Sequence, residues 1–282
     1  MGFSPKTTEK IAFMLLRLAV LFIVVILLTI IGYLVKNGLS IISWEFITSM
    51  PRRGMTAGGI WPAILGTVYL VSGTIAVALP LGVMAAIYLT EYAGDNFFTR
   101  LVRLAVVNLA GVPSIVFGLF GLGFFVIMLG FGASILAGSL TLAIMVLPII
   151  ITTTEEALKN VPAAYRQASL ALGATKWQTI WRIVLPQALP GIMTGSILGI
   201  SRAAGETAPI LFTAAAFFLP RLPGSIFDQV MALPYHLYIM ATQVPGADPT
   251  IAYGTALTLM AIVLGLNFTA VLIRLRFRKK TV

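Results

Sequence analysis

The chain has 282 residues, of which 59% are hydrophobic and only 10% charged, and it carries a formal net charge of +10. Soluble domains carry about 25% charged residues, so this composition argues against one. The absence of cysteine and the single histidine, His236, exclude a disulfide framework, a thiol nucleophile and a multi-histidine metal centre.

A membrane-spanning helix needs roughly 20 apolar residues. The first candidate covers 11–35, behind Lys6 and Lys10 and with Arg17 inside it. A secretory signal has an apolar region of roughly 7–15 residues, so this longer segment is expected to be an uncleaved anchor. Residues 36–59 form a loop with Trp44 and the Arg52–Arg53 pair. The second span is expected at 60–88, with Pro80 able to bend it, and a short charged turn follows at 91–103. A third apolar block, 101–129, is broken by Gly111-Val112-Pro113-Ser114, and a fourth runs over 134–154. A polar stretch at 155–190 separates it from the fifth span, which is expected to start at Pro190 and to carry Gly191, Gly195 and Gly199. That ridge of small residues suits close contact with another helix. Within the proline-rich segment 219–249, residues 225–243 read as a re-entrant or surface helix. The sixth span covers 250–273 and leads into a basic tail.

The fold class is therefore all-α, a polytopic membrane protein with about six transmembrane helices. Residues 1–59 form an N-terminal anchor and external loop, 60–276 the transmembrane core, and 277–282 a basic tail. Six spans put both termini on one side. That side holds fourteen Lys and Arg, including Arg100, Arg103, Lys159, Arg166, Lys176 and Arg182, against four on the other: Lys36, Arg52, Arg53 and Arg221. The positive-inside rule makes the richer side cytoplasmic, and the loop 155–190 with it. The charge is thus topological, with lipid rather than nucleic acid as the partner.

The polar stretch has its own helical punctuation. Asn160 and Pro162 open a first short helix, and Gly173 closes it in a left-handed conformation. Thr175 and Gln178 have the spacing of a capping box and start a second helix, which Pro186 is expected to stop. Trp177, Ile180, Trp181 and Val184 fall on one face of it, leaving Lys176, Thr179 and Arg182 more exposed.

The second distinctive stretch is Ser201-Arg202-Ala203-Ala204-Gly205-Glu206-Thr207-Ala208-Pro209. Counted from Pro190, Arg202 lies roughly 18 Å into a core about 30 Å thick. An intramembrane arginine costs about 2.5–3.5 kcal/mol on insertion scales and marks a functional site. Glu206, four residues on, is expected on the same helical face as its partner. The pair reads either as an internal clip or as a pathway charge, because a planar guanidinium holds two oxygens of a phosphate or sulfate.

Gln167-Ala168-Ser169, Gly173 and Ile183-Val184-Leu185-Pro186 are similar to the EAA loop of ABC-importer permeases, with Gln and Ser where that pattern has Glu and Ala. The Arg202 stretch and Pro113-Ser114-Ile115-Val116-Phe117-Gly118 resemble the phosphate-specific permeases of the PstA type. The resemblance implies a type I ABC importer permease core in a bacterial inner membrane. It makes 155–190 the cytoplasmic coupling loop, with Gln167, Ala168, Ser169, Gly173, Ile183, Leu185 and Pro186 docking a separate ATPase. Ser201, Arg202, Glu206 and Thr207 become substrate-pathway residues. It further implies a homologous PstC-type second permease, an ATPase dimer that uses ATP–Mg, and a soluble phosphate-binding protein.

No Walker A pattern and no acidic metal cluster is visible, so the chain is expected to be non-catalytic and to bind no cofactor or metal. Sulfate, molybdate and phosphonate permeases are the neighbouring possibilities, and a proton-coupled secondary transporter or an intramembrane enzyme the more distant ones. Glu155 and Glu156 read as a solvated helix end, His236 as an interfacial side chain, and Asn267-Phe268-Thr269 as a glycosylation pattern buried in a span.

Overall fold

The computed structural model describes residues 5–278 other than 220 and 247. Helix α1 (Pro5–Gly38) lies at the edge of the bundle with its apolar stretch fully open, as a lipid-facing span should. It packs along α12 (Pro249–Arg278), where the Tyr33 and Tyr253 hydroxyls meet at 3.2 Å. A short α2 (Trp44–Thr48), started by the Ser43 hydroxyl accepting from the Phe46 N–H, and a hairpin of β1 (Pro51–Arg52) and β2 (Ala57–Gly58) then close over one end.

The core is the three-helix contact of α3 (Trp61–Ile87), α6 (Ile135–Lys159) and α9 (Leu185–Gly205). Leu70, Leu142, Met145, Val146 and Ile150 are fully buried between them. In lipid, tails are as apolar as leucine, so close packing rather than water exclusion holds helices together. The ridge on α9 supplies that closeness: Gly191 lies on Ala157, Gly195 on Thr153 and Gly199 on Ile150, all on α6. The partner of the ridge is thus within the same chain.

Among the described residues, five helices are long and apolar enough to cross a membrane. A sixth crossing needs α4 (Phe97–Ala110) and α5 (Ser114–Gly121, continued by a π-helical stretch to Met128), which meet at 104°. The break sits at Gly111–Pro113, where Pro113 lacks an N–H and biases Val112 away from helix. The charged turn expected at 91–103 is therefore shorter. α4 begins within it at Phe97, because the Asn96 side chain accepts from the Thr99 N–H and caps the helix.

The fifth span also departs from expectation. One continuous helical run extends over Lys176–Gly205, through both Pro186 and Pro190, so Pro186 stops nothing. Immediately upstream the helix widens into a π-turn over Ile180–Val184, and the Leu185 N–H donates to the Ile180 carbonyl five residues back. Pro186 then falls in the first turn after that register change, where a missing N–H is tolerated. In the proline-rich segment only α11 (Leu233–Thr242) is helical within 225–243, and it is too short to cross.

Candidate functional site

Arg202 lies in the last turn of α9, where a cation complements the carbonyl end of the helix. Antiparallel α6 gives its depth. Gly199 is level with Val146 and Ile150, next to the midpoint of α6 at Leu147, and Arg202 is three residues, roughly 4.5 Å, further on. α9 ends at Gly205, Glu206 has extended backbone (φ −77°, ψ 134°), and α10 (Ala208–Thr213) resumes with Pro209 in its first turn. Glu206 is thus outside the helix, not on its face as the spacing suggested, because Pro209 cannot donate to the preceding turn. The helix is discontinuous in mid-span, an arrangement tolerated where the freed backbone is buried or lines a polar cavity.

The pair forms nonetheless. Arg202 Nε donates to Glu206 Oε1 at 3.4 Å, with the arginine side chain 35% exposed and the carboxylate 17%. Glu206 takes only the Nε edge. Among the described residues no partner holds the two Nη groups of Arg202, so the guanidinium fork opens to the surface of the chain. Ser201 turns away: its hydroxyl donates to the Asn267 side-chain oxygen on α12. Thr207 stands at the break, half-buried, and is not brought into the ion pair. Asn267, part of the glycosylation pattern that lies inside the last span, is therefore a helix–helix contact with the neighbour of Arg202. Its signal in the sequence was an amide within an apolar span.

The second locus is the loop between α6 and α9. α7 (Ala163–Ala171) begins after Pro162 and ends in a Schellman turn: the Gly173 N–H donates to Leu170 and the Ala174 N–H to Ser169, with Gly173 at φ +83°. α8 (Lys176–Thr179) opens with the full capping box, the Thr175 hydroxyl accepting from the Gln178 N–H while the Gln178 side chain accepts from Thr175. Gln167, Ala168 and Pro186 are exposed, Ile183 and Leu185 half-buried.

The expected face of α8 is partly reversed. Ile180 and Val184 are buried as foreseen, with Leu158, Val161, Ala188 and Ile192, but Trp177 and Trp181 are exposed and Thr179 is buried. The π-turn shifts the register, and the Ser169 hydroxyl meets the Thr179 hydroxyl at 2.9 Å against α7. Glu155 is also not a solvated helix end. It is 7% exposed and sits 2.9 Å from Lys159 Nζ and 3.6 Å from Arg103 Nε, whose Nη2 donates to the Leu89 carbonyl. Glu156, by contrast, is exposed. His236 is 2% exposed rather than interfacial.

Residues 78–280 match the family described as "Binding-protein-dependent transport system inner membrane component". The chain is 35% identical, over 95% of both proteins, to a Bacillus subtilis protein named "Probable ABC transporter permease protein YqgI". It is 41% identical to the "Phosphate transport system permease protein PstA 1" of Mycobacterium tuberculosis over 77% of this chain and 71% of that one. Among solved structures, a chain of a bacterial ABC transporter involved in the import of the acidic polysaccharide alginate aligns over 96% of each chain with a TM-score of 0.69 at 15% identity. The MetNI methionine ABC transporter, in an inward-facing conformation, aligns over 77% of this chain and 97% of that one with a TM-score of 0.58 at 19% identity. Those identities speak for the fold alone. A family match across most of the chain and relatives above 30% identity along its length make the assignment: this multi-pass membrane chain belongs to the binding-protein-dependent ABC transporter permeases.

Proposed function

We propose that the chain is the PstA-type permease subunit of an ATP-driven importer of inorganic phosphate. The observation that carries it is the guanidinium fork of Arg202 at a mid-span helix break, with Glu206 on one edge and both Nη groups open. Two oxygens of one phosphate match that fork. Glu206 accepts a hydrogen bond from the P–OH of hydrogen phosphate, a donor that sulfate lacks, and pairs again with Arg202 when the anion leaves. The names of relatives at 41% and 42% identity, phosphate transport system permeases, support the substrate.

Because Arg202 opens at the surface of this chain, the passage forms between it and a second, PstC-type permease. The excess of Lys and Arg on one side supports a cytoplasmic location for both termini and the α7–α8 loop. There the loop docks an ATPase dimer, through Gln167, Ala168, Ser169 and Gly173 and the Ile183–Leu185–Pro186 end. ATP–Mg belongs to that ATPase, while this chain holds no cofactor and performs no chemistry. A phosphate-loaded binding protein delivers the anion on the opposite face, and ATP-driven motion of the loop exposes Arg202 alternately to the two sides.

The test is uptake of labelled phosphate by proteoliposomes containing the four kinds of subunit. Uptake that needs ATP and resists a hundredfold excess of sulfate supports the reading. Equal competition by sulfate or molybdate shifts it to another oxyanion.

A further inference from the structure

α7 buries none of its residues, so packing alone does not fix it to the bundle. Beside the Ser169–Thr179 contact with α8, what fixes it to α3 and α6 is Arg166. Its Nε and Nη2 grip the Glu91 carboxylate, at 3.1 Å and 2.7 Å to Oε1, on the π-turn that ends α3. The same Nη2 donates to the Leu158 carbonyl at 2.8 Å, in the last turn of α6, and Nη1 to Val161 at 2.6 Å. Four of the five guanidinium hydrogens are thereby used. Both side chains are shielded, 22% and 8% exposed, where screening by water is weak. The other end of the loop needs no such fastening, because α8 runs unbroken into α9.

We infer that Arg166 is a positioning residue that carries movement of α7 to α3 and α6, so that three helices rather than α9 alone follow the loop. This rests on the reading of the loop as the ATPase dock. A point charge could replace the attraction but not the fork: lysine has no planar pair of donors for Glu91 and no reach to both carbonyls at once. The π-turn at Tyr88–Tyr92, a local widening of the helix, sits at the joint where such movement enters α3.

The experiment measures phosphate imported per ATP hydrolysed in proteoliposomes of the full transporter, with Arg166→Gln, Arg166→Lys, Glu91→Gln and the Arg166→Gln/Glu91→Gln pair. Each variant is expected to hold the ATPase and hydrolyse ATP near the wild-type rate while the ratio falls about tenfold, and the pair to be no worse than either single change. The chain has no cysteine of its own, so Glu91→Cys with Arg166→Cys gives a unique site for a reductant-cleavable bis-thiosulfonate bridge. Bridging is expected to restore the ratio and cleavage to abolish it, a switch that a folding defect does not produce. An unchanged ratio in Arg166→Gln, or bridged and cleaved forms that behave alike, would overturn the inference alone. A wild-type chain that binds no ATPase would overturn the docking reading and this inference with it.

Discussion

The hydroxyls of Ser169 and Thr179 meet at 2.9 Å and close α7 onto α8, ten residues apart in sequence. Thr179 is 3% exposed, so its hydroxyl has no water to turn to if Ser169 is lost. A buried hydroxyl left without a partner costs about 1–3 kcal/mol, whereas removing both partners is nearly neutral. Ser169→Ala is therefore expected to weaken ATPase binding five- to tenfold, although it installs the residue of the usual EAA pattern. Ser169→Ala with Thr179→Val should recover most of that loss. A titration of the ATPase onto the permease in detergent reads both.

Arg202 offers a sharper contrast. Charge-assisted hydrogen bonds are worth about 1.5–3 kcal/mol each, and Arg202→Gln removes the charge together with two donors. Phosphate uptake should fall at least 100-fold, with the variant still assembling at wild-type level. Arg202→Lys keeps the charge without the fork and is expected to retain about a tenth of the uptake. Glu206→Gln should spare phosphate binding but narrow the preference over sulfate. Normal uptake by Arg202→Gln would exclude a pathway role.

The run of about six spans and the helix punctuation at Gly173 and Thr175 could be read from sequence, because apolar length and capping chemistry are local. What escaped was non-local. Pro186 reads as a stop, yet a π-turn one step upstream absorbs its missing N–H. Thr179 counts as a polar surface position until Ser169 is brought across to it. Arg166 looks like one more cytoplasmic charge, and only the folded chain sets Glu91, 75 residues away, against its fork. Asn267 is 66 residues from Ser201, so no window of sequence joins them.

At Gly195 a side chain has no room, because a Cβ there would fall on Thr153 of α6, whose hydroxyl is already tied to the Ile149 carbonyl. Overpacking of this kind costs about 1–3 kcal/mol. Gly195→Ala is expected to lower the thermal stability of the detergent-solubilised complex by several degrees. Moving the small residue across the contact, with Gly195→Ala and Thr153→Gly together, should return most of it. If Gly195→Ala melts like the wild type, the α6–α9 contact is looser than its geometry implies.

Asp248 stands just before α12 and its Oδ1 accepts from the Thr250 N–H at 2.9 Å, ahead of Pro249 in the first turn. This hydrogen bond holds the carboxylate below the usual aspartate value of 3.8. A depressed value means that the charged form favours the folded end of the helix, so the cap is complete above the unfolded value and is lost as pH falls through the folded one. Neutral pH should thus show protected amides at the start of α12, with protection fading only once the medium is more acid than about pH 4. Asp248→Ala should show fast hydrogen exchange there at every pH. Asp248→Asn, whose side-chain oxygen still accepts, should keep protection into acid. Exchange at Thr250 and Ile251 that ignores both pH and the alanine change would mean that Pro249 alone starts the helix.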